Sequence, residues 1–249
     1  LGLYAIYWNE KIKNMQIQVC LTPDLLPHFD LKDKIVVIID ILRATSCITT
    51  ALACGVKGII PVRQVEDCKK LQQEGYLAAA ERGGQKVEGF DLDNSPFSYQ
   101  NPDLKGKVIA LTTSNGTLAI DLSKNIAKEI LIGSFLNQRT LTDYLIASKQ
   151  NIILFCAGWK GKENLEDTFF AGAVIEDLLN ANFILANDGA IISRAVFHVG
   201  RNQYKKFLSK SSHYQRLMGF GLEKDIDFCI KPNQYAILPK LKENLLVIE

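Results

Sequence analysis

Three turns of the chain carry residue types suited to chemistry on an anion. Asp40 closes the apolar run IVVII at 35–39, and Arg43 follows three residues later in DILRATS. The stretch LTTSNGT, 111–117, gathers Thr112, Thr113, Ser114, Asn115, Gly116 and Thr117 in one turn, and CAGWKG, 156–161, makes another. Small residues let the backbone approach a ligand closely, hydroxyls donate hydrogen bonds, and the amides at a helix start favour an anion such as phosphate. The bland reading of TTSNGT is that Ser114 or Asn115 caps a helix, although a cap needs one such residue.

Asp40 is the sharpest of these features. An ionised carboxylate ending a strand buried on both faces is costly unless it is paired or coordinates a metal. Two readings stay open. Either Asp40 pairs with Arg43 and does no chemistry, or Asp40 is a metal ligand or acid/base and Arg43 a planar fork for phosphate oxygens. Glu81 and Arg82 follow the run YLAAA, while Glu166 and Asp167 fall in a first helical turn, where the dipole alone favours acids. Together with Asp40 they form a hard-oxygen set for Mg²⁺, which takes few protein carboxylates beside a substrate phosphate.

Several familiar motifs fail. CAGWKGKE, 156–163, departs from a P-loop at Cys156 and Glu163, and as a cysteine-phosphatase loop it has Lys162 where Arg is required. DLDNS, 91–95, resembles an aspartate-nucleophile signature, but no buried strand precedes it, and G-x-G-x-x-G does not occur.

Apolar runs of strand length alternate with segments of helical period, which positions these turns. Strands are expected at 16–21, 34–41, 57–62, 76–80, 107–112, 129–133 and 151–156, with two more near 226–230 and 235–238. Ala44, Cys47, Ile48 and Ala51 fall on one helical face, with Gly55 at the cap; Ala171, Val174, Ile175 and Leu178 repeat the spacing, as do Ile192, Ala195, Val196 and Val199. The alternation predicts an α/β fold of three layers, α/β/α, with a mostly parallel or mixed sheet whose carboxyl-end turns gather a ligand. Residues 81–106, rich in Gly, Asn, Asp and Pro, are expected to be a functional loop. Residues 1–15 read as a terminal extension and 16–249 as the domain proper, with possible sub-halves 16–134 and 135–249.

With 249 residues, 47% of them hydrophobic, the chain can bury a substantial core. The formal charge is +2 and no run of five like charges occurs, so nucleic acid is not an expected partner. No segment reaches the ~18 apolar residues of a membrane span and no secretion signal is evident, so a cytoplasmic location is expected. The six scattered cysteines are expected to be reduced, without a zinc site, and His28, His198 and His213 to be surface or core residues.

The ordered series DILRATSC (40–47), AAERGG (79–84), GFDLDNSP (89–96), LTTSNGT (111–117) and CAGWKGKENLEDTFFAG (156–172) resembles the motifs of the 2-phosphosulfolactate phosphatase (ComB-like) family; SHYQRLMGFGLEKDIDFC (212–229) resembles its C-terminal signature. The resemblance runs from about residue 16 to the end, and Asp93 stands where the family more often has Gly. It implies a Mg²⁺-dependent phosphatase that hydrolyses 2-phospho-3-sulfolactate to 3-sulfolactate and phosphate, a step of coenzyme M biosynthesis, on an α/β/α fold with two similar halves.

Joined to that resemblance, the residues take provisional roles. Phosphate is expected among Thr113, Ser114, Asn115, Gly116 and Thr117, with Arg43 neutralising charge, and Asp40, Glu81, Glu166 and Asp167 as Mg²⁺ ligands, Asp40 serving as ligand or base. Arg82 or Lys160 takes a sulfonate or carboxylate, and Lys162 adds positive potential. Attack by water and transient phosphorylation of Ser46 or Ser114 both remain open. The expected partner is a small phosphorylated acid, and a homodimer is the default assembly. Two other classes compete: a non-catalytic binding protein for a phosphorylated or sulfonated metabolite, and a sugar-phosphate lyase or isomerase.

Overall fold

Ile35–Ile39 are buried throughout, and their side chains divide between two cores. Ile35, Val37 and Ile39 join one apolar cluster and Val36 and Ile38 another, the alternation expected of a strand covered on both faces. The computed structural model describes residues 14–248. The expected extension lies outside them except for Asn14 and Met15, and Met15 already belongs to the first strand.

Strands β1 (Met15–Cys20) and β2 (Ile35–Ile39) precede helix α1 (Ala44–Ala53), β3 (Gly58–Pro61), α2 (Val65–Gln73), β4 (Leu77–Arg82) and β5 (Gln85–Lys86). Next come β6 (Val108–Thr112), α3 (Gly116–Ser123), β7 (Glu129–Gly133), α4 (Gln138–Ser148), β8 (Ile152–Cys156), α5 (Leu165–Leu179) and β9 (Phe183–Leu185). The chain ends with α6 (Asp188–Gly200), α7 (Tyr204–Leu208), α8 (Ser212–Gly219), α9 (Glu223–Cys229), β10 (Pro239–Lys242) and β11 (Leu245–Ile248). No helix among the described residues is long and apolar enough to cross a membrane.

All strands join one mixed sheet in the order β5-β4-β6-β3-β11-β10-β7-β2-β8-β1-β9. The fold is α/β, with helices on both faces. Two parallel blocks, β4-β6-β3 and β7-β2-β8-β1-β9, are joined by the antiparallel hairpin β10-β11. Since β1 and β2 sit among β7, β8 and β9, the blocks do not follow a division of the chain at 135. The three successive antiparallel pairings make the blocks run in opposite senses. Twist of roughly 20–25° per strand, accumulated between β6 and β2, turns them toward one another. Their carboxyl-end turns do meet: a Cβ on Gly116 would stand 3.0 Å from Asp40 Oδ2.

Three expectations need correction. Residues 226–230 are not a strand but lie mainly in α9, because Ile226, Cys229 and Ile230 bury at helical spacing even though Ile226, Phe228 and Ile230 also alternate. No strand forms at 235–238; the last two begin at Pro239 and Leu245. The third concerns α6, whose Ile192 and Val199 face solvent at 48% and 75% exposure. That helix buries Ala190, Ser193 and Gly200 instead. It lies so close to α5 that a Cβ on Gly172 would fall 2.1 Å from the Ser193 carbonyl oxygen. The 81–106 segment is also more ordered than a bare loop: β4 continues to Arg82, β5 turns back on it, and 3₁₀ turns form at Pro96–Gln100 and Pro102–Leu104.

Leu246, fully buried and paired with Ile59, fastens the hairpin to the first block. Leu246→Ala should therefore lower unfolding free energy by about 2–5 kcal/mol in a urea titration; a loss below about 1 kcal/mol would show the hairpin to be dispensable.

Candidate active site

Asp40 sits in the turn between β2 and α1, at 7% exposure. Its Oδ1 accepts the Ala44 amide at 3.2 Å, and its carbonyl accepts both the amide and the hydroxyl of Thr45, at 3.0 and 2.9 Å. Asp167, in the first turn of α5 and 1% exposed, reaches across to the same turn. One of its oxygens accepts the Ile41 amide at 2.9 Å and the other the Gly158 amide at 3.2 Å, so a single carboxylate ties the β2 turn to the β8 turn. Burial is the main force raising the pKa of both acids. Asp40 is pushed up to about 6, with the charges of Glu81 and Glu166 adding to burial and that of His213 opposing it. Asp167 is held well above the usual carboxylate range by burial and then by Asp40 and Glu166.

The pairing of Asp40 with Arg43 does not form. Arg43, 4% exposed, instead directs Nη1 to Asp225 in α9 and Nη2 to the Gly84 carbonyl at 3.0 Å. Asp225 also accepts the Ser95 hydroxyl at 3.1 Å, so three distant segments close on one guanidinium.

The LTTSNGT turn divides its work residue by residue. The Thr112 hydroxyl accepts from Arg82 and donates to the Arg63 carbonyl. Thr113 and Thr117 close the turn reciprocally, each hydroxyl accepting the other's amide, at 3.2 and 3.3 Å. Ser114 gives both its amide and its hydroxyl to Glu81, each at 3.2 Å. Asn115 precedes α3 but makes no side-chain cap and faces a cavity instead. Gly116 has no room for a side chain, since a Cβ would lie 2.7 Å from Ala44 Cβ. The amides of Thr113, Ser114 and Thr117 are thus committed within the protein. Those of Asn115 and Gly116 have no acceptor among the described residues, and Asn115 borders the cavity.

The carboxylates expected as a ligand set also divide. Glu81 and Asp40 line the cavity, whereas Glu166 and Asp167 stand behind it. Among the described residues no group of three or more His, Cys, Asp or Glu side chains is arranged to hold a metal ion, so the four do not form an all-protein cage. The cationic residues expected at the substrate lie elsewhere. Arg82 spends its guanidinium on the carbonyls of Glu81 and Arg63 and the Thr112 hydroxyl. Lys160 and Lys162 are exposed on the turn, Lys160 5.4 Å from the Trp159 ring.

Four residues outside the expected set complete the site. His213 of α8, 6% exposed, places Nδ1 2.7 Å from Glu166 Oε1, while the Ser211 hydroxyl donates to Glu166 Oε2 at 3.1 Å. A carboxylate on Nδ1 fixes the ring and leaves Nε2 for a ligand. Trp159 stacks on His213 at 5.9 Å between ring centres, and Arg216 lies 3.6 Å from the Trp159 ring. Asn94, 4% exposed, has a buried side-chain oxygen without a partner among the described residues. Asp93 shapes the turn presenting it, accepting the Ser95 amide at 3.0 Å and the Ser98 hydroxyl at 2.6 Å. Asp40, Arg43, Glu81, Asn94, Asn115, Trp159 and His213 border one narrow cavity of about 10 Å³, with Leu42, Gly84 and Leu217 filling the gaps.

The family model for 2-phosphosulpholactate phosphatase matches residues 20–244, a span that holds every one of these side chains. The chain belongs to this family. It is 39% identical to a probable 2-phosphosulfolactate phosphatase of Thermotoga petrophila, over 90% of this chain and 96% of that protein. Similar proteins of the same description occur in Caldanaerobacter subterraneus subsp. tengcongensis, at 37% over 93% and 98%, and in Clostridium tetani, at 33% over 93% and 100%. In this family member all six motif blocks of the sequence contribute residues to the cavity or to the bonds that frame it.

The raised pKa of Asp40 gives a sign that can be checked. The folded protein holds this proton more tightly than the unfolded chain, so stability falls as pH rises from 3.8 toward about 6 and the penalty is constant above. In metal-free buffer Asp40→Asn should be more stable than wild type at pH 7.5, by on the order of 2 kcal/mol, and should lose that advantage near pH 3.5. Urea midpoints across pH measure this; equal gains at both ends would place the effect in something other than ionisation.

Proposed function

We propose that this family member is a Mg²⁺-dependent phosphatase acting on 2-phospho-3-sulfolactate or a closely related small phosphorylated acid. The observation that carries the reading is convergence. Turns from the ends of β2, β4, β6 and β8, together with α8, bring two carboxylates, the start of α3 at Asn115 and a carboxylate-held imidazole to one cavity. The donor chemistry fits Mg²⁺, because Asp40 and Glu81 offer hard carboxylate oxygens at the cavity, and burial of Asp40 favours a cation beside it. Those two would hold the ion, which when bound supplies positive charge against the phosphoryl and departing oxygens.

The remaining roles fall to the chain itself. The amides of Asn115 and Gly116 at the start of α3 bind phosphoryl oxygens. Arg43, held by Asp225 and the Gly84 carbonyl, adds fixed positive charge at the cavity wall. Water attacks phosphorus in line as the ester P–O bond breaks. The departing oxygen takes a proton from His213 Nε2, Glu166 steadies the imidazolium, and the proton of the attacking water restores it as phosphate leaves. Ser114 is a poor transient acceptor because both its amide and hydroxyl serve Glu81.

Purified protein assayed for phosphate release should hydrolyse 2-phospho-3-sulfolactate with Mg²⁺ and lose that activity with chelator. His213→Gln should lower kcat by about 10²–10⁴-fold with the fold retained. Absence of metal-dependent release from any member of a phosphomonoester panel would refute the reading, and tight binding without release would favour a binding protein.

A further inference from the structure

Arg216 is the cationic group near the cavity whose donors are left over. Its Nε and Nη2 are both buried, and neither has a hydrogen-bond partner among the described residues. The residue makes no ion pair among the described residues; burial lowers its pKa, and the nearby charges of Glu166 and Glu81 oppose that only in part. Arg43, by contrast, is satisfied by Asp225 and a carbonyl, and Arg82 by two carbonyls and a hydroxyl. Native proteins seldom leave buried donors unmet, and a charged one least of all. The two donors are also a particular pair: Nε–H and Nη2–H form one edge of the guanidinium, the fork that meets two oxygens of a single oxyanion.

The placement of that edge is constrained. His213 and Arg216 are separated by one helical turn of α8, and both lie against Trp159, the indole that borders the cavity. Leu217, the next residue, borders the cavity as well. The guanidinium therefore rests on an aromatic plate that limits its swing, beside the imidazole proposed to meet the departing oxygen.

We infer that Arg216 is the specificity-determining residue of this site, its Nε and Nη2 edge receiving two oxygens of the second anionic group, a carboxylate or sulfonate, that the phosphorylated acid carries beside its ester. This rests on the proposed phosphatase reading and adds to it the requirement for a second anion. It moves the role expected for Arg82 or Lys160 to a residue on α8.

The test compares 2-phospho-3-sulfolactate with three truncated esters: phospholactate, which lacks the sulfonate, phosphorylated isethionate, which lacks the carboxylate, and isopropyl phosphate, which lacks both. For wild type, kcat/KM should exceed that for isopropyl phosphate by about 100-fold or more on at least one single-anion ester, and which one identifies the group bound. Arg216→Ala should collapse that ratio toward one, chiefly through KM, and Arg216→Lys should restore only part of it because a point charge lacks the fork. A ratio unchanged in Arg216→Ala overturns the inference. Titration of 3-sulfolactate followed by tryptophan fluorescence reads the same contact without turnover. Affinity that falls at least 10-fold in Arg216→Ala supports the inference even if no ester is hydrolysed, and affinity equal to wild type overturns it whatever the phosphate assays give.

Discussion

A single buried carboxylate holds this site together. Asp167 accepts one amide from the turn after β2 and another from the turn after β8, and it does so beside Asp40, a second acid with almost no access to water. Burial raises the proton affinity of both, and the charge of Asp40 raises that of Asp167 further. The two amides favour the charged form of Asp167 but do not offset its burial, so the turns are fastened by an acid that binds its proton tightly behind the cavity wall. Such an arrangement is stable only because the surrounding core over-determines it.

The rest of the cavity follows from where those turns are pinned. With the β2 turn fixed, Ala44 and Asp40 meet the α3 start closely enough that residue 116 must be glycine, and Asn115 beside it borders the cavity. Pinning the β8 turn fixes Trp159, on which His213 and Arg216 of α8 then rest. Arg43 closes the remaining side by joining α9, the Ser95 turn and Gly84. The C-terminal helices are thus a wall of the site, and their sequence matters to its chemistry as much as that of the strands.

Much of this could be read from residue order and much could not, for definite physical reasons. The strand-turn-helix units around Asp40, Asn115 and Trp159 were legible because buried strands and small-residue turns leave local signatures. The meeting of the Asp40 and Trp159 turns follows from parallel β2 and β8, whereas Asn115 comes from the block of opposite sense, which no local pattern shows. The Arg43 partner was illegible because Asp225 lies 182 residues away and no local pattern marks the pair. His213 looked like an ordinary helical histidine, since what makes it functional is a contact with Glu166 from another helix. A weak cue for Arg216 existed in its position three residues after His213, on the same helical face. Residues 226–230 were misleading because their apolar residues satisfy both a period of two and the spacing of a helix, and only packing selects between them. On α6 the apolar stripe was real but faces outward, because glycine and serine allow α5 and α6 to approach through their small faces.

Two buried acids, Asp40 bordering the cavity and Asp167 behind it, hold their protons more tightly than ordinary carboxylates, and burial is the main cause. Carboxyl ¹³C NMR of the metal-free protein, titrated with acid and repeated with Mg²⁺, measures this directly. Two aspartate carboxyls should titrate above the ordinary range, Asp40 at about 6, and both should move down when Mg²⁺ is added. If every aspartate titrates near the usual value of about 4 and Mg²⁺ shifts none of them, burial does not perturb these acids and the site does not work as described.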